Sequence, residues 1–466
     1  MANIATLIFL CGIAGLFLLD RDRESRVSFG LWIPWVWILI AASRSVSQWQ
    51  ATFAGENITD TGSAAEYYLE GNETDRWVLS FLLVMAIVVL ARRRRTLINV
   101  LRANGPILMF FGYCALSAFW SNHTDVAFKR WIKALGDLAM ILVILTDTDP
   151  FAAVRSLVAR VAFLLVPISV LLIKYYPDLG RGYHPWTWTP YYTGVTTNKN
   201  ELGFLCLICG LGCLWRCLQA IRDRSGGRIL GYISLLAMVV WLFWMANSMT
   251  SLSCFLMAGA LMVAVSARSV NRSPALVHCL VAGMLAVSCS TLFFDLGSGL
   301  LETIGRDPTL TGRTDIWKMA LGMVGNPLIG TGFESFWLPP RLDKIWSLYW
   351  WHPRQAHNGY IEIYLNLGWV GISLLGVILV TGYRNVVAAL RADSDSGRVR
   401  LAYFVAAVCY NFTESAIRML NPVWIFFLLV AVAVPGGWNQ ASSTEEDAAD
   451  LVEVQKVAGM EWHEAV

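Results

Sequence analysis

The strongest constraint on this chain is the recurrence of apolar segments long enough to cross a bilayer. In hydrocarbon every backbone N–H and C=O must find a partner within the chain, so only helices and closed barrels span, and a helix needs roughly 20 apolar residues to do so. Thirteen stretches approach that length: 4–19, 31–43, 77–91, 106–120, 135–146, 161–176, 202–215, 229–246, 252–267, 275–294, 361–380, 401–412 and 423–434. The fold class predicted is all-α, a polytopic membrane protein with 12 or 13 transmembrane helices. Composition agrees, with 56% hydrophobic and 15% charged residues, against roughly 25% charged in a soluble domain. A soluble enzyme is excluded. So is disorder, because 21 Trp, 22 Phe and 15 Tyr cannot stay solvated in an unfolded chain. The net charge of +3 gives no case for nucleic acid as a partner. Stretch 4–19 lacks a basic lead and a small-x-small cleavage site, so it reads as a retained helix rather than a signal peptide.

Basic loops resist translocation and stay cytoplasmic. Arg92, Arg93, Arg94 and Arg95 fix the frame; counting spans outward from them puts Arg21, Arg155, Arg216, Arg268 and Arg398 with their basic neighbours on the same side. Segments 44–76, 121–133, 177–200 and 295–360 then face outward, as does the N-terminus, while the polar stretch from Asn439 lies inside. A 66-residue outer segment (295–360) is too long for a mere connection and is expected to be folded. The expected organisation is an N-terminal set of membrane helices (1–160), a catalytic membrane region (161–435) that includes loop 295–360, and a cytoplasmic polar tail (436–466). All ten Cys fall in or beside apolar segments, so no disulfide framework is expected. Cys206 and Cys209 have a redox or zinc spacing, but in a run of Leu and Ile they read as small apolar packing residues.

Three outward clusters carry polar chemistry. In the long loop, Thr311-Gly312-Arg313-Thr314-Asp315 precedes an apolar turn closed by Gly325-Asn326-Pro327, which predicts a short helix over 314–324. Arg313 at its N-terminal end would either grip an anion beside the free N–H groups or pair with Asp307 or Asp315. Next, His357-Asn358-Gly359-Tyr360 stands directly before a spanning helix. There an imidazole could exchange protons near neutral pH, or His357 and Asn358 could simply cap the helix. The third cluster runs from Arg181 through Asn198-Lys199-Asn200-Glu201 into a membrane helix, an expensive placement unless these residues line a wet cavity or bind something. Glu414, after the next-to-last span, either orients His357 or pairs with Arg418. Asp137 and His278, inside apolar runs, read as satisfied by neighbouring helices. The outer Trp residues read by default as interfacial anchors.

Gly194…Asn198-Lys199-Asn200…Gly203, Thr309-Leu-Thr-Gly312-Arg313-Thr-Asp-Ile-Trp317 with Asn326-Pro-Leu-Ile-Gly330-Thr-Gly332-Phe, and His357-Asn358-Gly-Tyr…Leu367-Gly368…Gly371 together resemble the O-antigen ligase and polysaccharide polymerase superfamily of polytopic bacterial glycosyltransferases. The resemblance covers roughly 160–430. It implies an undecaprenyl-diphosphate-linked oligosaccharide as donor, an acceptor glycan, and metal-independent inverting transfer at the periplasmic face of the inner membrane, with no cofactor. It implies His357 at the reacting centre with Glu414, and Arg313 as a diphosphate ligand. An arginine from an earlier outer loop belongs to the family's set; Arg181 is the candidate, with Lys199 as the substitute. Asn198, Asn200 and Asn358 are supporting residues. Exopolysaccharide or O-antigen polymerase is the expected activity; O-antigen ligase acting on lipid A-core is the alternative within the family. Polysaccharide export or chain-length proteins would be further partners. A lipid-linked oligosaccharide flippase and a non-catalytic scaffold are the readings from other classes. The outer loops carry no Asp-x-Asp and no His/Glu cluster, so no metal site is expected.

Overall fold

The computed structural model describes residues 1–20, 27–54, 71–183, 188–271, 273–293, 310–349 and 352–438. The chain is an all-α polytopic membrane protein, and each of the thirteen apolar segments coincides with a helix. In chain order they are α1 (Ala2–Leu19), α2 (Trp32–Ala41) with the short amphipathic α3 (Val46–Ala54), α4 (Glu73–Arg92), α5 (Arg94–Ala103), α6 (Gly105–Ser117), α7 (Thr124–Leu145) and α8 (Pro150–Tyr175). A small antiparallel hairpin follows, β1 (Arg181–Tyr183) with β2 (Pro190–Tyr192). Then come α9 (Lys199–Arg222), α10 (Gly226–Ala246), α11 (Met249–Ser266), α12 (Pro274–Phe293), α13 (Leu310–Gly322), α14 (Arg341–Leu348), α15 (Gly359–Ala392), α16 (Ser394–Thr413) and α17 (Pro422–Ala431).

Among the described residues, seven helices (α1, α4, α8, α9, α10, α11 and α15) are long and apolar enough to cross a membrane unaided. The bent pair Phe29–Ala41 and Val46–Ala54 would make eight. The difference from the expected 12 or 13 has a physical reason. Helices α6, α12 and α17 are apolar but short, while α7 and α16 begin with charged residues. All ten residues of α17 are buried, so it is a core helix enclosed by protein. By contrast α1 buries only Ala5 and Ile13 and turns Leu7, Ile8, Leu10 and Leu18 outward, the surface of a helix whose solvent is lipid.

Asparagine and aspartate caps set where the helices begin. Asn198 accepts from the Asn200 and Glu201 N–H groups at the head of α9, Asn358 from Tyr360 and Ile361 at the head of α15, and Asp393 from Asp395 and Ser396 at the head of α16. Each satisfies first-turn donors that have no partner within the helix.

The long segment before α15 is folded where it is described. Helix α13 and the loop to His357 enclose a second core of Ala320, Phe336, Ile345, Ala356 and Leu365. The helix expected over 314–324 begins earlier, at Leu310, so Arg313 lies in its first turn. Residues 294–309 with Asp307, and Trp186, Trp350, Trp351 and the tail from Asn439, lie outside the described residues. The loop is locked to the membrane helices at a break in α15. Gly368 has φ 62° and ψ −161°, and the loop passes through that gap. Trp369 and Val370 donate to the Pro327 and Leu328 carbonyls, while Thr331 and Gly332 donate to those of Leu365 and Asn366. Gly330, at φ 68°, is the matching residue. A Cβ on Gly368 would lie 2.4 Å from backbone atoms of Leu328, and one on Gly330 2.5 Å from those of Asn366, so only glycine permits the two backbones to meet. This explains both glycine motifs.

Helix direction sorts the charges into two ends. The heads of α9 and α15 and the tail of α16 meet at one end. At the other, Arg216 pairs with Asp20 at 2.5 Å, Arg93 with Asp147 at 2.9 Å and Arg222 with Asp395 at 2.9 Å.

Candidate active site

The site forms where α16 stops. Its last residue is Thr413, and Glu414 is extended, with φ −142° and ψ 160°. The turn beyond it is held by Asn411, whose Oδ1 accepts from the Ala416 and Ile417 N–H groups. The head of α15 crosses this turn closely. Gly359 donates to the Glu414 carbonyl, and a Cβ on Gly359 would sit 2.1 Å from Asn411 Oδ1. The residue before the α15 cap is His357, in the left-handed region at φ 51°, an uncommon conformation that clusters at functional positions.

Arg313 and His357 are brought together by one carboxylate. His357 Nδ1 lies 3.0 Å from Glu414 Oε2, and Arg313 Nη2 donates to Glu414 Oε1 at 3.3 Å, with Arg313 Nη1 on the Thr413 carbonyl at 2.6 Å. Gln355 Nε2 lies 3.3 Å from the same His357 nitrogen. The alternative left open for Glu414 is thereby decided in geometry. Glu414 faces His357 and Arg313, and Arg418 reaches Gln355 Oε1 instead, at 3.5 Å. Asn358 is a cap, and its Nδ2 also ties α15 to the Phe412 carbonyl at 2.8 Å.

Glu414 lines a cavity of about 690 Å³ together with Lys133, Lys199, Arg418, Asp75 and Glu201, within the size range of ligand sites. Its carboxylates are already supplied with donors. Ser47 bonds both Asp75 oxygens, Thr197 bonds Glu201 through N–H and hydroxyl, and Glu414 has Arg313 and His357. Among the described residues Lys133 and Lys199 make no hydrogen bond or ion pair. Partial burial, then the neighbouring Arg130, lowers the Lys133 ammonium from its ordinary pKa, against the opposing pull of Asp75. The cavity thus presents cations with unused donors beside an imidazole–carboxylate pair. Arg313 and His357 join it through Glu414 rather than lining its wall.

Asn198 and Asn200 also line this cavity, Asn198 while capping α9. Arg181 lies apart from these residues. Its Nε and Nη2 both donate to the Ile173 carbonyl, at 3.0 and 2.9 Å, and its guanidinium covers the Tyr192 ring. It staples the hairpin to the end of α8 and does not reach the cavity. Lys133, Arg418 and Gln355 are the residues that sequence reasoning left unassigned. Lys133 sits on an α7 face whose charges Asp125, Lys129, Arg130 and Lys133 recur at helical spacing, the one signal that would have marked it.

Two further cavities adjoin. One of about 180 Å³ shares Gln355, Ser415, Arg418 and Met419 with the first. Another of about 250 Å³, walled by Trp37, Leu83, Val126 and Ile132 with Arg76 and Lys129, shares Leu79 and Lys133 with it. Asp137 and His278 are satisfied as expected: Asp137 accepts from Trp37 Nε1 and Leu420 N–H, both at 2.8 Å, and His278 bonds the Tyr383 hydroxyl at 2.7 Å. All ten Cys are free.

Residues 202–376 match the family model described as O-antigen ligase. Over 339 residues the chain is 24% identical to exopolysaccharide production protein ExoQ of Rhizobium meliloti (strain 1021), an alignment that covers 70% of this chain and 75% of that protein. The family match takes in Arg313, the Gly330–Gly368 interlock and His357. Glu414 and Lys199 lie outside it.

Proposed function

Taking an O-antigen ligase-like membrane protein as the premise, we propose that this chain transfers a glycan from undecaprenyl diphosphate to the hydroxyl of an acceptor sugar, at the periplasmic face of the bacterial inner membrane. The observation that carries the reading is the cation-bearing cavity whose wall includes Glu414, the carboxylate shared by Arg313 and His357.

The chemistry follows from that arrangement. With Nδ1–H donated to Glu414, the His357 Nε2 lone pair is available to take the acceptor hydroxyl proton, and Glu414 stabilises the imidazolium that results. The acceptor oxygen forms its bond to the anomeric carbon as the carbon–phosphate oxygen bond breaks on the opposite side, which inverts configuration. The diphosphate departs with the bonding electrons. Its growing charge is met by Lys133, Lys199 and Arg418 and by the unused donors of Arg313. Fixed cations in a partly closed site do this without a metal. Arg181, folded against α8, takes no part. The more apolar cavity beyond Leu79 and Lys133 would receive the first isoprene units of the donor, its cations lying at phosphate depth.

Polymerisation of exopolysaccharide or O-antigen repeat units is the favoured activity, supported by the extent of the alignment with an exopolysaccharide production protein. Transfer to lipid A-core is supported by the family description. One experiment separates them: purified protein is incubated with lipid-diphosphate repeat units, with and without lipid A-core, and the products are sized. A ladder without core marks a polymerase, and product only with core marks a ligase. Consumption of neither substrate overturns the reading.

A further inference from the structure

The cavity of about 180 Å³ beside the main one has no role in the chemistry above. It is small against the roughly 300–1,000 Å³ of sites for larger ligands, so it takes one sugar ring rather than an oligosaccharide. Its walls combine the Phe333 and Trp337 rings with Glu334, Glu362, Asn366 and Arg354, an apolar face with convergent polar groups around its edge. Two of these polar groups are spent. Both Glu362 oxygens accept from Trp337 Nε1, at 3.1 and 2.8 Å, and Asn366 Oδ1 accepts from the Ser335 and Phe336 N–H groups. These bonds fix the walls.

Glu334 is different. Its carboxylate has no hydrogen bond or ion pair among the described residues, and its backbone is held in the left-handed region at φ 49°. The strain is imposed from both sides: the Phe333 N–H is fixed to Ser117 Oγ at 3.0 Å, the Ser335 N–H to Asn366, and the Glu334 carbonyl accepts from Arg130. A residue forced into an unfavourable conformation with an unspent acceptor in a cavity points to a ligand that supplies the donors. The position is informative as well. Gln355, which contacts His357, lines both this cavity and the larger one, so a sugar held here lies beside the residue that touches the imidazole.

We infer that this cavity is the acceptor subsite, and that Glu334 binds the terminal sugar of the acceptor glycan by accepting from its hydroxyl groups. The inference rests on the glycosyl-transfer reading and adds the place and the residue by which the acceptor is recognised. It is tested with purified full-length protein, a labelled polyprenyl-diphosphate repeat unit as donor, and as acceptor a soluble methyl glycoside of the same repeat. E334Q is expected to raise the acceptor KM at least tenfold and to leave the donor KM within twofold. E334G should do the same while melting no lower than wild type, because glycine relieves the left-handed strain. A structural role for Glu334 would instead lower stability and move both KM values together. Unchanged acceptor KM in both variants overturns the inference, whereas a wild-type protein that transfers to no acceptor overturns the functional reading first.

Discussion

The two ends of the helical bundle hold similar side chains in opposite states. At the end that carries Arg93 and Arg216, Asp20, Asp147 and Asp395 are each paired with arginine. Asp20 accepts from Arg216 and from the Tyr232 hydroxyl, Asp147 from Arg93 and Ser28, and Asp395 from Gln219, Arg222 and Arg398. Arg400 spends its guanidinium on the Val430 and Val432 carbonyls. At the other end the carboxylates are likewise supplied, yet Lys133 and Lys199 face a cavity of about 690 Å³ with no hydrogen bond or ion pair among the described residues. Complete pairing fixes the relative positions of helices; incomplete pairing leaves electrostatic capacity for something that arrives. The comparison assigns structure to one end and chemistry to the other, and it can be broken by substitutions that exchange those consequences.

The largest effect is expected at the site. His357→Ala and Glu414→Ala should each lower transfer by roughly 10²–10⁴, the contribution of a positioned general base, while the protein inserts and melts as wild type. Arg313→Ala should fall in the same range because it frees Glu414 and removes donors from the leaving group. The check is initial rate of product formation alongside thermal unfolding in detergent. Variants that lose stability and activity in proportion would make this end structural too. At the opposite end, Asp20→Ala leaves the buried Arg216 without its anion. Breaking such a pair costs on the order of 3–5 kcal/mol, so the variant should melt markedly lower, with the rate per folded molecule unchanged. Smaller again is the effect of removing one cavity cation. Lys199→Met or Lys133→Met should raise donor KM roughly tenfold, about 1.4 kcal/mol, and weaken the dependence of KM on salt.

The fold was legible because apolar length is read directly: every one of the thirteen segments is a helix. What sequence could not show is which helices face lipid and which, like α17, are sheathed by others. At the site, Arg313 and His357 were legible as motif residues, and Asn198 and Asn358 as caps. The partner of Glu414 was not. Arg418 lies four residues on, a helical spacing, but α16 ends at Thr413 and the spacing carries no contact. The place of Arg181 was illegible for the converse reason. Its guanidinium turns back on a carbonyl eight residues earlier, a loop geometry with no periodic signature. The Gly330 and Gly368 motifs were visible but not their joint cause, since the approach of two backbones 38 residues apart leaves only the absence of a side chain in the sequence.

The finest test of the paired end is its response to acid. Burial alone would raise the Asp147 carboxyl; the bonds from Ser28 and the charge of Arg93 outweigh it and hold the group below the usual carboxylate range. A folded-state pKa below the unfolded value means that the stability contributed is fully present above the ordinary aspartate pKa of about 3.9, and is lost as pH falls through the lower folded value. Wild type should therefore lose melting temperature on acidification from pH 5 toward pH 3 more steeply than Asp147→Asn, whose amide does not titrate. Parallel acid profiles for the two would mean that the Arg93–Ser28–Asp147 contact contributes no net stability, and that complete pairing at this end is a consequence of packing rather than one of its causes.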